Sequence, residues 1–248
     1  MPAQPSVPAL LSTLRTRQAT SPALIWYGPG GERIELSGKV LDNWVAKTSN
    51  LLVDELDAEP GIRVRLDLPA HWKTLVWALA AWQTGCTVQL GEPAHPGDAA
   101  AGGAVPDVTV TASQELLDAA EGTVVAVAQG ALELRWPGEL PAGAVDYAAE
   151  VRSYADTYLS GEEAEEGYTA LHSFLGTGLN LSYGQLAEAA DGGMCQTLLV
   201  PAAVDLPSVL TAALRTWAAG GSVVLVAADV EITERLLAAE KVTERLEA

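Results

Sequence analysis

"IRVRLDLPAHWKTLVWALAAWQTGCTVQL", residues 62–90, carries the plan of the fold in one stretch. "IRVRLDL" is short and rich in branched residues, ends before Pro69, and reads as a strand. From about His71 to Thr84, Leu75, Leu79 and Trp82 fall on one helical stripe, and Gly85 is a stop signal. "CTVQL" is a strand again. Strand, helix, strand with joints this short is a βαβ unit, and its right-handed crossover makes the two strands parallel.

The same alternation extends to both sides. Upstream, residues 8–18 form a short amphipathic helix, and "ALIWYG" and "ERIELSG" read as a hairpin turning at Pro29, Gly30 and Gly31. The "GPGG" of 28–31 therefore serves as a turn and not as a dinucleotide fingerprint. Ser37 can cap a helix that runs to about Leu56. Downstream, residues 91–106 read as a surface loop, followed by a strand "DVTVTA", a helix "SQELLDAA" and a strand "TVVAVA". "LELRW" is expected to be a strand, "VDYAAEVRSYADTYL" a helix and "SGEEAEEG" a solvated acidic turn. A helix over 182–190, a strand "QTLLV", a helix over 207–219, a strand "SVVLVA" and a helix from about Glu231 complete the chain. Pro207 suits a first helical turn, where its missing N–H has no partner to lose. The fold class is α/β, with helices layered over a mostly parallel sheet, in a single domain spanning residues 1–248.

Composition narrows the function. With 14 Lys+Arg against 32 Asp+Glu the net charge is −18, which opposes nucleic acid and anionic membranes. Cys86 and Cys195, the two cysteines, have no metal-ligand spacing and are each expected to be small buried residues. The N-terminus lacks a secretory apolar run, and no stretch is long and apolar enough to span a bilayer. A soluble cytoplasmic protein is expected. Trp72, Trp77, Trp82 and Trp217, on expected helices, read as core or interface residues and not as a cofactor box.

Two blocks carry a family resemblance. In the first, a hairpin is followed by Leu36 and Ser37 at a helix entry, Gly61 and Val64 at a strand, His71 and Trp72 at a helix start, and "QTGCTVQL" at the next strand. In order and spacing this block resembles the N-terminal part of the adenylate-forming superfamily, which includes acyl-CoA synthetases and the adenylation domains of peptide synthetases. The second block, residues 181–239, is similar to the family segment with a Ser/Thr-His helix start, a strand ending in Pro, a helix and a further strand. The resemblance implies the fold of the first half of the large domain of acyl-CoA synthetases. It covers most of these 248 residues and about the first half of a typical member. The family's later glutamate, aspartate and lysine motifs have no counterpart here, so the chain reads as a short, truncated relative.

"HSFLGTGLNLSYGQL", residues 172–186, reads as a glycine-bearing loop running into a helix. In the family the corresponding loop is rich in Ser, Thr and Gly, closes with Pro-Lys-Gly and wraps ATP phosphates with backbone N–H groups. The resemblance points to Thr169, Gly176, Thr177 and Gly178 as candidate ligand-binding residues. Leu179-Asn180-Leu181 stands near where Pro-Lys-Gly would be, and Glu162, Glu163, Glu165 and Glu166 lie just upstream. The plainer reading is that Gly176 and Gly178 only let the chain turn toward Ser182. Where the family places a His after the strand-ending Pro, Pro201 is followed by Ala202, Ala203 and Val204. His172 and His95 read as loop residues and His71 as a helix-start residue, with no metal-binding spacing among them.

The expectation is a non-catalytic acyl-CoA synthetase-like domain with no catalytic residue, metal or cofactor. It would act through protein association, as a homodimer or with a protein partner. The alternative is a binding module for an adenine nucleotide, CoA or an acyl ligand. A third reading is a working enzyme, either with its missing motifs supplied by a separate chain or with unrelated chemistry centred on His172 as a candidate acid/base.

Overall fold

The computed structural model describes residues 6–92, 105–120, 122–131, 133–159, 163–176 and 178–247. In chain order the elements are α1 (Val7–Arg17), β1 (Pro22–Tyr27), β2 (Arg33–Ser37), α2 (Gly38–Leu56), β3 (Arg63–Asp67), α3 (Trp72–Gln83), β4 (Thr87–Leu90), β5 (Val108–Thr111), α4 (Gln114–Ala119), β6 (Thr123–Ala126), β7 (Val145–Asp146), α5 (Tyr147–Glu150), β8 (Thr169–Ser173), β9 (Leu179–Ser182), α6 (Tyr183–Ala190), β10 (Thr197–Pro201), α7 (Leu206–Ala218), β11 (Ser222–Val226), α8 (Glu234–Ala239) and β12 (Glu244–Arg245). They divide into two compact units: residues 1–44, 70–76 and 184–248 form one, and residues 45–69 and 77–183 the other.

The first unit holds a five-stranded sheet in the order β12-β10-β11-β1-β2. Only β2 runs antiparallel, as the hairpin partner of β1. Its helices start where side chains supply the missing partners of first-turn N–H groups: Ser6 accepts from Ala9 N, and Asp205 from Ser208 N. Gly38 is required by close approach, since a Cβ there would sit 2.5 Å from the Leu14 carbonyl oxygen. Ile25, Leu199, Val224 and Val226 pack with Leu236 of α8 into one cluster. Trp217, buried on α7, donates its Nε1–H to the Ala23 carbonyl at 2.8 Å.

The second unit holds a seven-stranded sheet in the order β7-β6-β5-β3-β4-β8-β9, in which only β9 is antiparallel to its neighbour. β3–α3–β4 is the parallel unit expected from sequence. From β3 the chain steps to β4 on one side, whereas from β5 it steps to β6 on the other, so order reverses between β3 and β5. Right-handed crossovers then put α3 and α4 on opposite faces. Every residue of α3 from Trp72 to Trp82 is buried, and not the single stripe its pattern suggested. Gly85, at φ +82°, ends that helix as expected.

Several expectations need correction. Residues 133–136 of "LELRW" form no strand, and Leu132 lies outside the described residues. The helix expected over 145–159 is the single turn α5 followed by a 3-10 turn at Val151–Ser153. Lys47 Nζ donates to the Tyr154 carbonyl, and Asn50 Nδ2 to those of Ala155 and Thr157, so side chains of α2 take up main-chain acceptors and hold that segment off a helical path. α8 starts at Glu234, later than Glu231, because Thr233 supplies the cap through Leu236 N. The loop expected over 91–106 falls largely outside the described residues, at 93–104.

Candidate functional site

The glycine-bearing segment is a β-hairpin. β8 pairs in parallel with β4, through Val88↔Leu171, Gln89↔His172 and Leu90↔Ser173, and β9 folds back antiparallel on β8. Three bonds anchor the start of β8. Trp82 Nε1 donates to the Ala170 carbonyl at 2.7 Å, Thr87 Oγ1 to the Thr169 carbonyl at 2.6 Å, and Tyr183 N to the Tyr168 carbonyl at 2.9 Å. The Tyr183 hydroxyl, 2.8 Å from the Cys86 carbonyl oxygen and 3.3 Å from that of Trp82, fixes the start of α6. Burial pushes this hydroxyl's pKa up, so it stays a donor. Sequence reading missed Tyr183; its signal was an aromatic residue with a hydroxyl where the family helix start has His.

The turn itself spans residues 174–178. Gly176 and Gly178 have φ of +61° and +76°, the left-handed region that favours glycine. Phe174 N donates to the Leu90 carbonyl at 2.8 Å, Leu175 N to Ser173 Oγ at 3.1 Å, and Gly178 N to the Leu175 carbonyl at 3.1 Å. Gly176 and Gly178 are thus brought together. Thr169 is not with them: it begins β8, roughly 13 Å along the strand from Ser173 at about 3.3 Å per residue. Thr177 lies outside the described residues.

Leu179, Asn180 and Leu181, expected near the end of a phosphate loop, form the strand β9. His172 is likewise a strand residue of β8 and not a loop residue; its ring sits 4.5 Å from that of Phe174, and burial lowers its pKa. His71 precedes α3, as expected, and is buried edge-on to Trp26 at 4.6 Å. Burial first, and the Lys73 charge second, push its pKa down to about 3, so it is neutral. His95 and Glu162 lie outside the described residues; Glu163, Glu165 and Glu166 are exposed.

Trp72, Trp77, Trp82 and Trp217 are buried as expected. Cys86 is buried, and burial raises its thiol pKa to about 11, but Cys195 is exposed, contrary to the expectation for both cysteines. Cys195 follows the glycines 192 and 193, with Sγ 3.4 Å from the Gly220 carbonyl oxygen at the surface. Among the described residues no His, Cys, Asp and Glu side chains group to hold a metal ion, and no helix is long and apolar enough to cross a membrane.

No family model matches the chain. A curated protein of Mycobacterium tuberculosis, named by a family alone, is 38% identical over 149 residues, which make up 60% of each of the two chains. Among solved structures, an acyl-CoA synthetase of Brucella canis superposes on 99% of this chain and 48% of its own, with a TM-score of 0.75 at 17% identity. Coronafacic acid ligase of Pectobacterium brasiliense gives a TM-score of 0.71 at 11% identity, over 97% of this chain and 49% of its own. The N-terminal domain of a Mycobacterium tuberculosis protein gives 0.69 at 15% identity, over 97% of this chain and 62% of its own. The chain therefore spans about half the length of the two ligase structures and 60% of the curated relative. It has the fold of the N-terminal portion of acyl-CoA synthetases and other adenylate-forming enzymes.

Proposed function

We propose that this chain is a non-catalytic acyl-CoA synthetase-like domain that works by associating with another polypeptide, a second copy of itself included. One observation carries the first half: three N–H groups of the β8–β9 turn are already bonded within the protein. A loop that holds phosphate must aim free N–H groups at the anion. Here the N–H groups of Phe174, Leu175 and Gly178 are committed to Leu90, Ser173 and Leu175. No Lys or Arg occurs in the sequence between Arg152 and Arg215, while Glu163, Glu165 and Glu166 precede β8. Adenylation needs positive charge placed on the reacting phosphates, and this stretch offers the opposite sign.

Support for association comes from the sheet edges. β2, an outer strand of the five-stranded sheet, carries Arg33 and Glu35, charges of the kind that discourage edge pairing. β9, an outer strand of the seven-stranded sheet, reads Leu179-Asn180-Leu181-Ser182, with no charge and no proline. Light scattering over a concentration series is expected to find species heavier than 25.8 kDa, and Asn180→Lys, which charges the edge, to dissociate them. A monomer throughout would overturn self-association. Pyrophosphate exchange with a panel of carboxylic acids would overturn the non-catalytic half.

A second reading, a module for an adenine nucleotide, CoA or an acyl ligand, is favoured by the reversal of strand order between β3 and β5. Open parallel sheets bind small molecules beyond the carboxyl ends of such strands. Calorimetry with AMP and CoA separates it from the first.

A further inference from the structure

The five-stranded sheet ends on β12, a strand of two residues. Next to it lies β10, "TLLVP", with no charged residue and with Leu198, Leu199 and Val200 all buried. An apolar, uncharged strand left at a sheet edge is a template for pairing with another chain. β12 covers it: Thr243 N donates to the Thr197 carbonyl at 3.0 Å and Leu246 N to the Leu199 carbonyl at 2.9 Å. The outer face of the sheet edge then carries the exposed Glu244 and Arg245, charges that oppose further pairing.

Little apolar surface holds this cover in place. From Thr233 to Glu247 only Leu236 is buried, with Leu237 and Val242 partly so. The polar fastening to β1 and β2 is Glu240, whose side chain is 7% exposed. Its carboxylate accepts from Arg33 Nε at 2.9 Å, from Arg33 Nη2 at 3.2 Å and from the Tyr27 hydroxyl. The very next residue, Lys241, has φ +54°, in the left-handed region that favours glycine and strains other residues. The joint between α8 and β12 is thus strained beside the residue that fastens it, and opening relieves that strain.

We infer that residues 233–247 form a strap that opens as one unit while the rest of the five-stranded sheet stays folded, and that the closed strap guards β10 against pairing with a second copy of this chain. Arg33 and Tyr27 on one side and Glu240 on the other are its catch. A segment with one buried side chain and solvent-facing backbone bonds opens at a lower free energy than the core strands. The guarded edge belongs to a different sheet from β9, so the device stands whether or not β9 associates.

Native-state hydrogen exchange of the full chain tests the opening. The amides of Leu237, Glu240, Val242, Thr243 and Leu246, all hydrogen-bonded when the strap is closed, are expected to exchange together and ahead of those of β1 and β11. Arg33→Gln should speed this group about five- to tenfold and leave β11 unchanged. Glu35→Gln, which spares the bonds to Glu240, should leave the group unchanged, and Lys241→Gly should slow it. Light scattering tests the guard: in an Asn180→Lys background, which silences association through β9, adding Arg33→Gln should give heavier species at the same concentration. Strap amides that exchange only at the rate of β11, equal speeding of every strand by Arg33→Gln, the same speeding by Glu35→Gln, or no gain in mass on adding Arg33→Gln overturns the proposal.

Discussion

Two glycine-bearing turns, one in each unit, follow strands and look alike in sequence. Residues 28–32 join β1 to β2, and residues 174–178 join β8 to β9. Each uses left-handed glycines, Gly30 and Gly31 in the first, Gly176 and Gly178 in the second. Each closes on itself: Glu32 N donates to the Pro29 carbonyl at 3.2 Å, and Gly178 N to that of Leu175 at 3.1 Å. They differ in charge. In the first, Trp26 Nε1 donates to Glu32 at 3.0 Å, and the neighbouring Arg33 bonds Glu35 and Glu240. The second carries no charged residue, with Phe174 and Leu175 in its place. Glycine spacing therefore reports that a chain turns, whereas the destination of its N–H groups and the charge beside it decide whether an anion can sit there.

The largest expected effect is at the anchor of the second hairpin. Trp82 is 2% exposed, and its Nε1 holds the Ala170 carbonyl of β8. Trp82→Ala should cost about 3–5 kcal/mol from lost packing and the cavity left behind. A denaturant titration reads the total, and hydrogen exchange should show β8 and β9 losing protection most. A loss of less than about 1 kcal/mol, the usual net worth of one hydrogen bond, would mean that the hairpin does not depend on this ring.

The comparison of the turns is sharpened by matched substitutions. Gly30 has nothing within 4 Å of an added Cβ, and Gly178 only the Ser173 carbonyl oxygen at 3.6 Å. Space is thus ample at both, and Ala should cost about 1–2 kcal/mol at each through the left-handed backbone alone. Equal shifts in unfolding midpoint for Gly30→Ala and Gly178→Ala confirm that both glycines serve turning. A markedly greater cost at Gly178 would point to a constraint beyond the turn.

What the sequence made legible, and what it hid, follows from the range of the forces involved. β3, α3 and β4 could be read because branched runs, a Trp and Leu stripe and a glycine stop are all local. β8 and β9 were hidden: "TALHS" and "LNLS" are short and mixed in polarity, and their strand character comes from pairing with β4, distant in sequence. The helix expected over 145–159 failed for a similar reason, since Lys47 and Asn50 bond the carbonyls after its first turns. β12 has two exposed residues and no pattern to find. At the candidate site the glycine pair was visible, but the partners of its neighbours' N–H groups, Leu90 and Ser173, could not be read from spacing.

The smallest expected effect is the pH response, in which the charged and uncharged hairpins should separate by window. Burial alone would raise the Glu240 carboxyl, but hydrogen bonds from Arg33 and Tyr27, and the Arg33 charge, outweigh it and hold the pKa below its ordinary 4.5. A group depressed on folding contributes stability that is complete above its unfolded value and lost as pH falls through the folded one. The Glu240 share of stability, then, is lost below about pH 4.5, whereas His71, packed against Trp26 of β1 with its pKa pushed down to about 3, adds a loss that begins below about pH 6.5. At the second hairpin His172 is lowered from 6.5 by burial, which disfavours its charged form. The unfolded chain takes up that proton first, so stability should begin to fall below about pH 6.5, well before Glu240 responds. His172→Gln should make the fall below pH 6.5 shallower, with the His71 share remaining, and Glu240→Gln should remove part of the fall below 4.5, each read from denaturant midpoints across pH. If His172→Gln left the slope below 6.5 unchanged, the imidazole would be as well hydrated in the folded hairpin as in the unfolded chain, and its place against Phe174 would have to be a passing one.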